Sequence, residues 1–528
     1  MKTSTSTNAA GDEPTPSSSS SKRPFAPPAT NGSANGNGVE DDTALSRRNK
    51  RQKRECPYLS TVNRNVLDFD FERVCSVTLS DQNIYACLVC GKFFQGRGRG
   101  TTAYQHALEQ QHYVFVNLES TQAYCLPEDY EITDASLNDV KYNLKPNYTQ
   151  EQVLKIARGE AGTYHAKSLD GVDFIPGCIG LNIIKNSDYL NVVLQLMCAI
   201  IPLRNFLLLY EPPQKPDQLV KSLADLIKKQ YNPKNFKGLA SPHEVFQAIG
   251  RASNKKFYGA QHDPVALISW LYQYLRKKLK NQLPIADILE GQILVKVAKL
   301  EGDRKWTDSV HPSVVVQLDL PDAPLFKDDF QIPQVNLFSL LEKYNGEKAH
   351  ESIAKSGEAR QIRKFSLRKL PPYLIFQIKR FKHNGYFVEK NPTIVNFPLK
   401  DLDLRNYLQP AAVALNPETR YNLVASVTHE GKPKGGAYKI HVSHKALEKW
   451  HEIQDLRVTE VLPQAVALAE AYMLIYQRLD VEDDGTYGNF SAEQLTAAQD
   501  AADGAAMGKD EHLDDCVDDM EAMGIQIS

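Results

Sequence analysis

"IGLNIIKNSDYLNVVLQLMCAIIP" (residues 179–202) runs from a loop into a segment that is apolar on nearly every side and stops at a proline. That pattern predicts a helix buried on all faces, the central helix of a sizeable domain. A carboxylate, Asp188, sits at the join. Ser187 and Asp188 stand where an N-cap belongs, so the expectation is that Asp188 accepts the free N–H groups of the first turn, a cap worth about 0.5–2 kcal/mol.

The whole chain, 528 residues with 42% hydrophobic and 24% charged residues, is long enough for two or more cores. A formal net charge of −2 exerts no overall pull toward nucleic acid or membrane, which leaves such attraction to local clusters. No apolar run is long enough to span a bilayer and the polar N-terminus is no secretory signal, so an intracellular protein is expected. Residues 1–54 are rich in Ser, Thr, Asn, Pro and Gly and read as a disordered tail. It ends in "RRNKRQKRE" (47–55), a dense positive block that reads as a nuclear address or an RNA-phosphate contact. Residues 481–528 form an acidic, mostly loose tail in which "LDDCVDDMEAMGI" (513–525) has the spacing of a short amphipathic helix.

Five of the eight cysteines fall between Cys56 and Cys125, a clustering that suggests metal rather than a disulfide framework. Two residues separate Cys87 from Cys90, letting both thiolates reach one ion from a tight turn that Gly91 permits. His106 lies in a helical stretch and His112 follows it. Together Cys87, Cys90, His106 and His112 make a Cys2His2 set for one structural Zn2+ with no open position for water. Cys56 and Cys75 read as core thiols. A nucleic-acid-reading finger has about twelve residues between its second Cys and first His, whereas fifteen separate Cys90 from His106. The pattern instead resembles the ubiquitin-protease-type zinc finger, here at residues 55–135. Some members hold a further metal site, but Gln95 and Thr102 occupy two of its ligand positions, so the resemblance implies that only one site survives. Arg97 falls on a residue that grips the ubiquitin C-terminus in that family, while Tyr85 replaces the usual Trp.

After a connector at 136–164, residues 165–480 alternate helical and strand patterns. "DPVALISWLYQYLRKKL" (263–279) puts Val265, Leu267, Ile268, Leu271 and Leu275 on one stripe. Strand-like runs follow: "GQILVKVAKL" (291–300), "SVVVQLDL" (313–320), "PPYLIFQIKRF" (371–381), "YNLVASVTHEG" (421–431), "AYKIHVSH" (437–444) and "AYMLIYQR" (471–478). Helices first and strands later argue for an α+β domain with a largely antiparallel sheet.

Six ordered blocks, "GLNIIKNSDYLNVVLQ" (180–195), "QHDPVALI" (261–268), "LPPYLIFQIKRF" (370–381), "HEGKPKGGAYKIH" (429–441), "WHEIQDLRV" (450–458) and "AYMLIY" (471–476), resemble the ubiquitin-specific protease domain. The resemblance implies a papain-like protease fold. It also implies a loss of activity. Where the family carries its nucleophilic Cys this chain has Asp188, and where it carries the His base it has Ala437. Asp455 remains at the orienting position and Asn186 at the oxyanion-hole position, but acyl transfer needs a nucleophile and a base. An acid dyad of Asp188 and Asp455 needs the two carboxyls in contact, and the family's geometry keeps these positions apart.

A zinc module of this type before a protease domain with Asp and Ala in the catalytic places resembles the inactive ubiquitin-specific-protease-like splicing factors of the spliceosomal tri-snRNP. The resemblance implies a nuclear, non-catalytic scaffold for pre-mRNA splicing whose partners are tri-snRNP and other spliceosomal proteins, with no membrane role. It leaves open ubiquitin binding, direct RNA contact and the subunit touched. Two other classes compete: a ubiquitin reader without cleavage, and an atypical deubiquitinase, against which the missing Cys and His count.

Overall fold

The central helix spans Asp188–Ala199, and all but its last residue are buried. Pro202 does not end it. The chain breaks at Ile200 and bends by 92° into a second helix, Ile201–Leu209, with Pro202 in its first turn, where a missing N–H costs nothing and the fixed φ suits helix. These coordinates come from a computed structural model, which describes residues 55–482 apart from positions 71, 161–164, 281, 300–304, 323–331, 354–359, 386 and 434. The basic block at 47–54 and the helix expected at 513–525 lie outside the described residues. Among the described residues no single helix is long and apolar enough to cross a membrane.

Around the central helix pack Gln218–Gln230, His243–Ala252 and Pro264–Lys278. Pro264–Lys278 is the helix whose stripe the sequence predicts, and Val265, Leu267, Ile268, Leu271 and Leu275 are all buried. Asp263 caps it by accepting the Val265 N–H at 2.9 Å. This layer covers one face of a large, mostly antiparallel sheet whose neighbouring strands run, in spatial order, Val315–Asp319, Tyr373–Lys379, Ala471–Arg478, Arg420–Glu430, Ala437–His444, Lys449–Gln454 and Arg457–Val461. Only the first pair is parallel.

Alternation along the strands divides the domain's interior in two. Ile375, Met473 and Ile475 face the helices, whereas Leu374, Phe376, Leu474 and Tyr476 point the other way into a second core. That core lies against a four-stranded antiparallel sheet built from Gly291–Lys299, Thr307–Ser313, Asn345–Ile353 and Arg360–Lys369. All six apolar runs predicted as strands are strands.

The N-terminal module is a five-stranded antiparallel sheet, Phe93–Gln95, Ile84–Cys87, Val114–Asn117, Ala123–Cys125 and Tyr130–Ile132 in spatial order, with one helix, Thr102–Gln110. The stretch expected as a connector is itself structured: Asn138–Leu144 buries Val140 and Leu144 in the module's core, and Gln150–Arg158 buries Val153 in the main core. Phe236 of the large domain also enters the module's core. Beside it the Lys229 ammonium, mostly buried, donates to the Phe69 carbonyl at 3.1 Å and to Asp70 at 2.6 Å. The two parts are therefore packed on one another.

Candidate functional site: a fastened carboxylate and a four-ligand cluster

Asp188 is buried in the first turn of the central helix, but it does not cap it. This corrects the sequence reading. The boundary residue is Ser187, which makes no cap bond; its Oγ accepts the Ile184 N–H at 2.9 Å. Asp188 Oδ2 instead accepts two donors brought from far along the chain: Gln261 Nε2 at 2.6 Å and the Tyr438 backbone N–H at 2.9 Å. Gln261 Nε2 also donates to the Gly436 carbonyl at 2.8 Å. One carboxylate oxygen thus ties the helix to the loop before Pro264–Lys278 and to the start of strand Ala437–His444. The other, Oδ1, is buried with no hydrogen-bond partner among the described residues.

Ala437 opens that strand opposite Glu430 and brings a methyl group with no polar atom. His441 lies on the same strand, where its Nε2 meets Glu452 at 3.3 Å and burial lowers its pKa. His429 sits on the neighbouring strand, 2% exposed, its ring edge-on to Phe381 and Tyr438 at centroid distances of 5.0 and 4.9 Å. Its imidazole is pressed onto Gly436, where a Cβ would lie 2.4 Å from Cε1 and 2.5 Å from Nε2. Any side chain at Gly436 would displace the ring. Burial, helped by nearby Lys390, pushes the His429 pKa down to about 4, so at neutral pH it is uncharged.

Asp455 lies in the tight turn after Lys449–Gln454, at φ 49°. Its Oδ1 accepts from Asn191 Nδ2 at 2.8 Å, and its backbone carbonyl accepts the Leu181 N–H at 2.9 Å. Burial raises its pKa, the Asn191 hydrogen bond opposes that, and the charge of Asp188 adds to it. The two carboxylates therefore sense each other, yet among the described residues no hydrogen bond joins them, as an acid dyad would require. Asn186 is exposed on the preceding loop. Asp188, Ala437 and Asp455, the three positions expected at the triad, thus gather around the start of the central helix. Gln261, which donates to Asp188, Gly436, whose carbonyl accepts from Gln261, and Asn191, which donates to Asp455, were not singled out from the sequence. Their signals were the glutamine opening "QHDPVALI", the glycine pair before "AYKIH" and an amide in the first turn of an apolar helix.

In the N-terminal module the ligand atoms of Cys87, Cys90, His106 and His112 all lie within 4.8 Å of one another. Cys87 ends a strand, and Gly91 closes the turn at φ 75°, a position where a Cβ would meet the Val66 carbonyl oxygen at 2.3 Å. His106 projects from the helix, and His112 follows the left-handed Gln111 that stops it. Cys90 Sγ is 3.4 Å from His106 Nε2, which is 3.0 Å from His112 Nδ1. A hydrogen bond from Cys87 lowers the pKa of the Cys90 thiol, and the same contact pushes Cys87 up. This is the donor set of a closed tetrahedral site. Gln95 and Thr102 are in contact, with Thr102 Oγ1 accepting the Gln95 N–H at 2.8 Å and meeting the Cys75 side chain at 3.3 Å. Cys56 and Cys75 are both buried in the module's core. Arg97 is held by Asp129 at 2.6 Å and lies 4.1 Å over the Tyr124 ring.

The family model described as "Ubiquitin carboxyl-terminal hydrolase" matches residues 179–476, more than half of the chain. The chain belongs to the ubiquitin carboxyl-terminal hydrolase family. A second model, "Zn-finger in ubiquitin-hydrolases and other protein", matches residues 74–137 of this family member. It is 43% identical over 470 residues to Ubiquitin carboxyl-terminal hydrolase 39 of Homo sapiens, covering 83% of this chain and 82% of the relative. It is 38% identical to Probable mRNA-splicing protein ubp10 of Schizosaccharomyces pombe, covering 80% of this chain and 88% of the relative. A solved crystal structure of an essential yeast splicing factor matches it with a TM-score of 0.67 at 28% identity, covering 80% of this chain and 99% of the other.

The packing of His429 in this hydrolase-family chain sets a pH dependence. Its pKa is about 4 in the fold against 6.5 when free, so between those values the unfolded chain takes up a proton that the folded chain refuses, and stability falls as pH falls. Going from pH 7 to pH 5 should cost about 2 kcal/mol through this residue, with no further loss below about pH 4. In urea titrations across that range, His429→Asn should flatten the decline by this amount; an unchanged slope would show that the ring is not buried as described.

Proposed function

We propose that this chain is a non-catalytic scaffold in pre-mRNA splicing, acting in the nucleus within the spliceosomal tri-snRNP through protein contacts. The observation that carries the reading is the fastening of Asp188. It occupies the place where the family's mechanism needs a thiolate, and its Oδ2 is committed to Gln261 and Tyr438. A carboxylate is a weak nucleophile toward amides without special activation, and Ala437 supplies no base beside it. His429 is no substitute, because its ring is locked against Gly436. Hydrolysis is left with Asp455 as an orienter that has nothing to orient. Relatives matched over most of their length bear the names of splicing proteins, which supports extending that role to this chain. The same names support partners among spliceosomal proteins, and a nuclear location fits the basic block at 47–54.

Cys87, Cys90, His106 and His112 are assigned as ligands of a single structural zinc. Two thiolates and two imidazoles leave no position for water, so the ion would contribute folding energy and no chemistry. Purified protein should contain one zinc per chain, and Cys87→Ser should lose the metal and unfold the module while the large domain keeps its own cores. A metal content near zero would defeat the assignment. The scaffold role is tested by recovering the tagged full-length protein from nuclear extract. Small nuclear RNAs should be enriched with it, and recovery of ubiquitin conjugates without those RNAs would favour a ubiquitin reader.

A further inference from the structure

A cavity of about 640 Å³ lies at the opposite end of the central helix from Asp188, where Cys198 and Ala199 meet the sheet. Its volume is that of a ligand site, and its lining is strongly biased in charge. Arg204, Lys400, Lys445 and Arg478 line it, against one lining acid, Glu448. Arg478 is neutralised by Asp480 at 2.6 Å. Arg204 is not. It is 9% exposed, and its Nε and Nη2 donate to the amide oxygen of Asn205 at 3.1 and 2.9 Å, while among the described residues no carboxylate pairs with it. Its other neighbours are the Tyr231 ring, 5.7 Å away, and His444, on which its charge acts. A buried guanidinium without a counter-charge is costly, and here it faces a cavity that an anion can enter.

The chain itself carries a fitting anion to that mouth. Leu479 and Val481 line the cavity, and beyond Glu482 the sequence ends in an acidic segment, "KDEHLDDCVDDMEAMGI" (509–525), with one lysine among seven carboxylates and an apolar series of Leu513, Val517 and Met520 at helical spacing. Mixed chemistry on the segment matches mixed chemistry in the lining, where Val442 and Trp450 stand beside the cations. Attachment at the rim makes the encounter intramolecular and raises its effective concentration. We propose that the cavity is an anion-binding site whose occupant is this acidic C-terminal segment of the same chain. Docking places carboxylates on Arg204, Lys400 and Lys445, and ties the end of the chain to the face of the domain remote from Asp188.

Zero-length carbodiimide cross-linking of the full chain at low salt tests this, because it joins a lysine Nζ to a carboxylate only in direct contact. The expected products are intramolecular amides from Lys400 or Lys445 to acids within 510–521, at a yield independent of protein concentration. Lys400→Glu, at an exposed position, leaves the Lys445 amine in place and should lower the yield of the Lys445 amide to the segment about tenfold, equivalent to about 1.4 kcal/mol. This variant carries the test if Arg204→Gln fails to fold. About 0.5 M salt should have a similar effect through screening. Cross-links confined to the basic block at 47–54, cross-links between separate molecules, or no product involving 510–521 would each overturn the proposal.

Discussion

The carboxylate of Asp188 is the point on which the arrangement of the large domain turns. Its Oδ2 receives one donor from the loop before a helix and another from the backbone of a sheet strand, so helix layer and sheet are fixed to each other at the start of the central helix. A buried charge is tolerated only when donors compensate it. Here both donors converge on one oxygen of the carboxylate, so the residue serves as a fastening between helix layer and sheet.

In the N-terminal module Cys75, Gln95 and Thr102 close on one another through hydrogen bonds, while the donor atoms of Cys87, Cys90, His106 and His112 converge within 4.8 Å. The module does not stand apart from the domain. Phe236 enters its core, Lys229 bridges to Asp70, and the two helices between 138 and 158 bury residues in both. Such a joint suits a part whose work is to present a fixed surface.

The sequence made much of this legible, and its failures have physical causes. The six apolar runs became strands because burial on both faces demands continuous or alternating apolar residues, a signal local to each run. Three strands of the four-stranded sheet escaped notice: Thr307–Ser313, Asn345–Ile353 and Arg360–Lys369 carry many polar and charged residues, so their strand character comes from pairing with neighbours rather than from their own pattern. The cluster of Cys87, Cys90, His106 and His112 was readable because spacing on a turn and a helix is set by nearby residues. The role of Asp188 was misread for the opposite reason. A cap is the nearest local use for a carboxylate at a helix start, whereas its actual partners lie 73 and 250 residues away, and no pattern around residue 188 announces them. Pro202 was misread likewise, since a proline that ends one helix and one that opens the next look alike in sequence.

The measurement that bears most directly on this account is the turnover of a ubiquitin C-terminal amide by the full-length protein, run beside reaction with an electrophilic ubiquitin probe. The wild-type chain should release no product above background and take no label, and Asp188→Asn should behave identically, because nothing at the site is poised to attack a carbonyl. Robust hydrolysis by the wild-type protein, abolished by Asp188→Asn, would contradict the account and make this carboxylate a catalyst.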